Sequence, residues 1–320
     1  MTSQAAGQRS AITTTFRRVG KTVARGLAML TAEARQAPDL IVIGAKRAGT
    51  TSLFRDLEEH ESMCPLVPSS RRLPMRENMK GVHYFDTNAG RSWRWYVSHF
   101  VTKRTKRRVA AATGAAFTVE ASPYYLFHPL AASRAASMLP TNTLFVAVLR
   151  DPVERTVSHW SEQTRNGVEE LPLHEAIAAE KQRVGADDAR LASGEITASH
   201  PHEHQSYCAQ SRYAVSLQRW FDAVGRDRVI VLFAETYAAH SVSVVDTITQ
   251  QIGVPPSTAQ SGQHRNAAPR SRQTDDQLDR RLTDWFRDDV AALTELLGFA
   301  PPWPRFNSSS CEPDLPKRLQ

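Results

Sequence analysis

The stretch Leu40-Ile41-Val42-Ile43-Gly44-Ala45-Lys46-Arg47-Ala48-Gly49-Thr50-Thr51-Ser52-Leu53 decides how this chain is read. A short apolar run ending in glycine predicts a buried parallel strand. Thr51–His60 follows as a helix, with Leu53 and Leu57 on one face. Between strand and helix lies the frame G-x-x-x-x-G, from Gly44 to Gly49, in the setting a phosphate-binding loop requires. The reason is geometric. Two glycines let the backbone turn tightly, so that consecutive N–H groups converge on one anion, and the helix N-terminus adds partial positive charge. Thr50 and Thr51 can donate hydroxyl hydrogen bonds in the first turn. A nucleotidase loop carries Lys and then Ser or Thr after its second glycine. Here Thr50 takes the lysine place, and the cations Lys46 and Arg47 lie inside the loop.

Outward from this stretch, Phe117-Thr118-Val119-Glu120, Thr143–Leu149 and Val229–Phe233 read as further strands. Helical patterns separate them at Pro129–Met138, Val153–Arg165, Leu173–Lys181, Gln210–Val224, Ser243–Ile252 and Asp276–Leu297. The alternation predicts an α/β fold: a P-loop-like, mostly parallel sheet flanked by helices. Residues 1–37 read as a basic N-terminal extension, 38–306 as one domain and 307–320 as a C-terminal tail. Met63–Lys80 and Gly185–His204 lack a clear period and read as long loops. Ligands of open parallel sheets sit beyond the carboxyl ends of the strands, so residues following each strand carry the functional reading.

The second such place is Leu149-Arg150-Asp151-Pro152-Val153-Glu154-Arg155-Thr156-Val157-Ser158. Asp151 predicts an N-cap, Pro152 the first helical position and Glu154 a capping box. Arg150 and Ser158 have no such duty. A strand-end arginine can grip a phosphate bidentately, and Ser158 can add a hydroxyl to the same cluster. Arg155 reads as a structural ion-pair residue.

Together the two motifs resemble those of the sulfotransferases that use 3′-phosphoadenosine 5′-phosphosulfate (PAPS). GAKRAGTTSL resembles the family's 5′-phosphosulfate loop, and LRDPVERTVSHW its 3′-phosphate motif R-D-P-x-x-R-x-x-S. Lys80-Gly81-Val82-His83-Tyr84-Phe85-Asp86 resembles the E-x-H-F-F-D segment of the heparan sulfate branch and its bacterial members. Val119-Glu120-Ala121-Ser122-Pro123-Tyr124-Tyr125 resembles V-E-K-S/T-P-x-Y-F. Arg212-Tyr213, with Leu217 and Arg219-Trp220-Phe221, resembles a later helix that packs beside the cofactor. The resemblance runs from Leu40 to Phe233.

It implies the sulfotransferase fold and in-line transfer of a sulfuryl group from PAPS to a hydroxyl or amine. The acceptor would be a carbohydrate, a glycolipid or another small molecule. Catalysis would rest on positioning and charge stabilisation, with no metal. Lys46, Arg47, Ala48, Gly49, Thr50, Thr51 and Ser52 would hold the donor's 5′ end, and Arg150 and Ser158 its 3′-phosphate. Tyr213, Arg265 and Arg270 are further cofactor candidates. Arg47 stands where the family has its catalytic lysine, with Lys46 beside it to compensate. Gly81 stands where the heparan branch has its glutamate base. His83 is therefore the first candidate base, since an unperturbed pKa of about 6.5 suits proton abstraction near neutral pH. Glu120 is the second. Ala121 replaces a family lysine, which argues against a heparan-like acceptor.

Composition bounds the rest. With 41% hydrophobic and 23% charged residues, the chain is neither disordered, collagenous nor a coiled coil. Its apolar runs fall short of the roughly 18 residues that a membrane helix needs. Cys64, Cys208 and Cys311 give neither a disulfide framework nor a metal spacing, which points to a reducing, cytoplasmic setting. Met1–Gln36 lacks the apolar core of a secretory signal. Arg17, Arg18, Lys21 and Arg25 on a short amphipathic helix would allow peripheral membrane contact. The net charge of +7 favours an anionic partner. The basic run Lys103–Arg108 reads as a solvated loop, and His200–His204 as a loop edge near the acceptor mouth. High alanine and arginine content suggests a bacterial source. Three rivals remain at this stage. One is a nucleotide kinase using Mg²⁺ and ATP. Another is a catalytically silent PAPS- or phosphate-binding protein, which Arg47 and Gly81 favour. The third is a nucleic-acid binder, for which no recognised module is found, so no nucleic-acid partner is expected.

Overall fold

The computed structural model describes residues 24–68, 79–257, 276–307 and 317–318. Five strands build one sheet: β1 (Leu40–Gly44), β2 (Val119–Ala121), β3 (Leu144–Leu149), β4 (Val229–Phe233) and β5 (Lys317–Arg318). Their spatial order is β2-β1-β3-β4-β5. The first four run parallel, and β5 lies antiparallel to β4. Residues of β1, β3 and β4 are buried without alternation, as expected where helices cover both faces of a parallel sheet. The helices used below are α1 (Thr50–Glu59), α2 (Trp93–Val97), α3 (Lys103–Thr113), α4 (Ala131–Met138), α5 (Pro152–Arg165), α6 (Leu173–Val184), α7 (Asp187–Ser193), α8 (His200–His204) and α9 (Tyr213–Val224).

Strand order locates the ligand crevice. The chain leaves β1 for β2 on one side, then returns past β1 to β3 on the other. The β1/β3 boundary is thus the topological switch point, where crevices open at the carboxyl ends of strands. Both motifs read from the sequence end there. Ala45 N–H donates to Val148 O at 2.7 Å, joining the start of the loop to the end of β3.

Several elements differ from the sequence expectation. Lys103–Arg108 is not a loop but opens α3, which Thr102 caps by accepting from Thr105 N–H. No residue of α3 is buried, so the run carries no apolar stripe to betray the helix. It lies at the amino end of the sheet, where Lys106 pairs with Asp39 at 2.5 Å, rather than at the acceptor mouth. Gly185–His204 holds two short helices, α7 and α8, instead of one long loop. The packed body also begins before residue 38. Residues 24–30 are helical. Arg25 turns inward to Ser98 Oγ (3.0 Å) and Val67 O (2.6 Å), so it does not face a membrane surface. Arg17, Arg18 and Lys21 lie outside the described residues. A cavity of about 680 Å³, lined by Pro38, Trp93, Lys106 and Pro140 among others, opens at this same amino end, away from both motifs.

Candidate active site

The loop after β1 is held close to its neighbours. A Cβ on Gly44 would stand 2.5 Å from Leu126 Cβ and 3.0 Å from Pro123 O, so the segment after β2 passes too near for any side chain. Gly49 takes φ +93° as the residue before α1 and offers no side chain to cap its first turn. Arg47 also lies in the left-handed region, at φ +71°, unusual for a residue with a Cβ. The turn makes the two loop cations diverge. Arg47 reaches α5, with Nη1 2.5 Å from Glu162 Oε1 and Nε donating to Ser158 Oγ at 3.2 Å. Lys46 reaches α8, with Nζ 2.8 Å from Glu203 Oε1 and 4.8 Å from the centre of the Tyr124 ring. Burial pulls the Lys46 pKa down, against the opposing charge of Glu203.

The turn after β3 is built as firmly. Asp151 caps α5, accepting from Val153 N–H (2.9 Å) and Glu154 N–H (3.1 Å). The predicted capping box is only half formed. Asp151 N–H donates to Glu235 Oε1, and Glu154 instead binds Arg150 at 3.1 Å. Arg305, beyond the motif, pairs with Asp151 at 2.7 Å. Arg150 Nη1 lies 3.4 Å from Arg47 O, so the two motifs touch. Tyr213 is not placed as a cofactor ligand: its ring is buried and its hydroxyl donates to Arg150 O at 2.8 Å. It positions the arginine. Arg155 is scaffold, as expected, but not through an ion pair. It is fully buried and donates to Ser211 Oγ, Tyr207 O and Lys46 O.

The third segment supplies the titratable groups. Gly81 is sterically required, because a Cβ there would meet Ala121 O at 2.6 Å and Ser122 Oγ at 2.8 Å. A glutamate therefore has no room at this position. His83 sits at φ +54°, with its side chain one third exposed. Its Nδ1 lies 2.9 Å from Asp86 Oδ2, and Asp86 is buried. Burial is the largest influence on the His83 pKa and lowers it. The hydrogen bond and charge of Asp86, with Glu120 and Glu203, outweigh that, and the net shift is upward.

Glu120 does not fit the second-base expectation. It is fully buried and accepts from Val82 N–H (3.1 Å), Ser122 Oγ (2.7 Å), Tyr125 OH (2.8 Å) and Tyr96 OH (2.7 Å). Three donors converge on Oε1 and Tyr96 OH holds Oε2, away from any solvent, which makes it a scaffold carboxylate.

The crevice thus gathers Lys46, Arg47, Thr50, Thr51, Arg150 and Ser158. Ala48 is buried in the loop and Ser52 is half-buried in α1. Arg265 and Arg270 lie outside the described residues. One residue escaped the sequence reading. Lys80 Nζ donates to Thr51 Oγ1 at 2.7 Å and lies 3.4 Å from Thr50 Oγ1. Its signal was its place directly before Gly81 in the histidine segment. Nothing local linked it to threonines on α1.

No family model matches the chain. The bifunctional heparan sulfate N-deacetylase/N-sulfotransferase 1 of Mus musculus is 27% identical over 223 residues, covering 68% of this chain. The heparan sulfate glucosamine 3-O-sulfotransferase 3A1 of Homo sapiens is 27% identical over 182 residues, covering 55% of this chain and 39% of the human protein. The match spans only 22% of the length of the mouse protein. A crystal structure of a sulfotransferase from Alicyclobacillus acidocaldarius superposes with a TM-score of 0.55 at 25% identity, over 83% of this chain and 97% of that one. The chain is thus similar in sequence to heparan sulfate sulfotransferases over part of their length, and in fold to nearly the whole of a bacterial sulfotransferase.

Proposed function

We propose that the protein transfers a sulfuryl group from PAPS to a hydroxyl or amine of a carbohydrate or other small-molecule acceptor, in a reducing, cytoplasmic setting. One observation carries the reading. Two separate anion grips, the Gly44–Gly49 loop and the Arg150/Ser158 turn, meet across the β1/β3 crevice. A nucleotide with phosphates at two positions of its ribose fits that pair. A nucleoside triphosphate, with a single linear chain, would need only one grip. PAPS supplies the sulfuryl group and a phosphate leaving group.

The residues divide the work. Thr50, Thr51 and the uncapped first turn of α1 receive the 5′ end, with Arg47 and Lys46 at its flanks. Arg150 and Ser158 take the 3′-phosphate. His83 is the base. Asp86 assigns its proton to Nδ1, which leaves Nε2 to accept the acceptor's proton. The base so displaced two residues from Gly81 follows from the steric closure there.

Calorimetric titration with 3′-phosphoadenosine 5′-phosphate (PAP) in EDTA, beside ATP with Mg²⁺, tests the reading. Wild type should bind PAP without metal, and Arg150→Ala should weaken it about tenfold or more, the scale of a lost charge-assisted hydrogen bond. ATP–Mg²⁺ binding with indifference to the 3′-phosphate would move the protein to the kinase class.

A further inference from the structure

We propose that Lys80 is a ligand of the donor's 5′-phosphate, supplying from outside the loop the lysine cation that stands as Arg47 within it. The inference rests on the sulfotransferase reading and deepens it. Lys80 is launched from a fixed edge, since its carbonyl accepts from Ala121 N–H at 2.9 Å and so continues the β2 side of the sheet. Gly81, locked against Ala121 O, holds the next residue equally still. From that edge the ammonium lies on Thr51 Oγ1 at 2.7 Å, with Thr50 Oγ1 at 3.4 Å. These hydroxyls open α1, whose first turn no side chain caps.

Charge balance gives the second argument. Lys46 holds Glu203, Arg47 holds Glu162 and Arg150 holds Glu154. Among the described residues, no ion pair joins Lys80 to an acid. Among the described residues the partners of this half-buried cation are hydroxyls, not an anion. Desolvation is the main cause that lowers its pKa to about 8; nearby Arg47 and Arg55 add to the fall and Glu162 opposes it.

Lys80 would act where charge grows. As the acceptor oxygen bonds to sulfur, the bond from sulfur to the 5′-phosphate oxygen breaks. Its electron pair stays on that oxygen, and the acceptor's proton passes to His83 Nε2. An N–H of Lys80 donates to the departing phosphate, a contact that Arg47 shares as a permanently charged neighbour.

The test needs no acceptor. PAP and adenosine 3′-monophosphate are titrated in EDTA against wild type, Lys80→Met, Lys80→Gln and Lys80→Arg, each checked for fold by circular dichroism. Lys80→Met and Lys80→Gln should weaken PAP about tenfold or more while leaving the 3′-monophosphate unchanged. Wild-type PAP affinity should fall as pH rises through about 8, and Lys80→Arg should keep its affinity across that range. Equal losses for both nucleotides would mean a merely structural lysine. An unchanged PAP affinity in Lys80→Met would likewise overturn the assignment. Failure of the underlying function would look different: wild type itself would then bind neither nucleotide.

Discussion

Glu120 and Asp86 are both carboxylates at 0% exposure, one bonded to the histidine segment and the other within it, and they do opposite things. Glu120 is closed. Two tyrosines, a serine and a backbone N–H fill its oxygens. Asp86 is open on one side. Its Oδ1 accepts from Thr87 N–H and Thr87 Oγ1, while Oδ2 holds His83, whose ring reaches solvent. Burial alone therefore does not tell the two carboxylates apart. The mark is a bond to a group that itself faces the crevice. One carboxylate is enclosed by donors of the fold, and the other holds a histidine whose ring reaches solvent.

That contrast can be broken in three ways. The largest effect belongs to His83→Ala, which should lower sulfuryl transfer by about 10²–10⁴-fold while PAP affinity stays near wild type. Turnover that survived this change would return the role of base to some other group. Next comes Glu120→Ala, which strands four donors in the core. It should cost about 3 kcal/mol or more of unfolding free energy in denaturant titration. A stable Glu120→Ala protein that binds PAP but turns over poorly would make Glu120 catalytic after all. The smallest effect is a displacement along the pH axis. A base must be deprotonated, so turnover falls as pH drops through the raised pKa of His83. Asp86→Asn removes the main raising influence, and the acid limb of the rate profile should move to lower pH. An acid limb that stayed in place would sever the link between the two side chains.

What the sequence made legible was local. β4 lies at Val229–Phe233 and the long helix at Asp276–Leu297, both as read, because continuous apolar runs and long periodic stretches announce themselves. The phosphate loop and the Asp151 cap were equally plain, since each is written in consecutive residues. α3 was missed because it buries nothing, so its cations show no period. The site was half legible for a related reason. Spacing names Arg47 and Arg150 but cannot say that Glu162 and Glu203 answer the loop cations. Nor does it say that Lys80 crosses to Thr51, or that Tyr96 closes Glu120. Those facts are contacts between distant segments. Gly81 read as the loss of a base. The structure adds the reason, a carbonyl 2.6 Å from where a Cβ would stand.

The parked arginine of the loop has a consequence for how the donor comes and goes. With Glu162 on its guanidinium, Arg47 is already neutralised before any nucleotide arrives, as Arg150 is by Glu154. Binding is then an exchange of counterions rather than the filling of a bare positive hole. On the proposed reading the acids would surrender their partners to the phosphates and take them back when the product leaves. Such a site would forgo some affinity, would hold an internal competitor for its own cations, and should respond to salt less steeply than a net charge of +7 suggests.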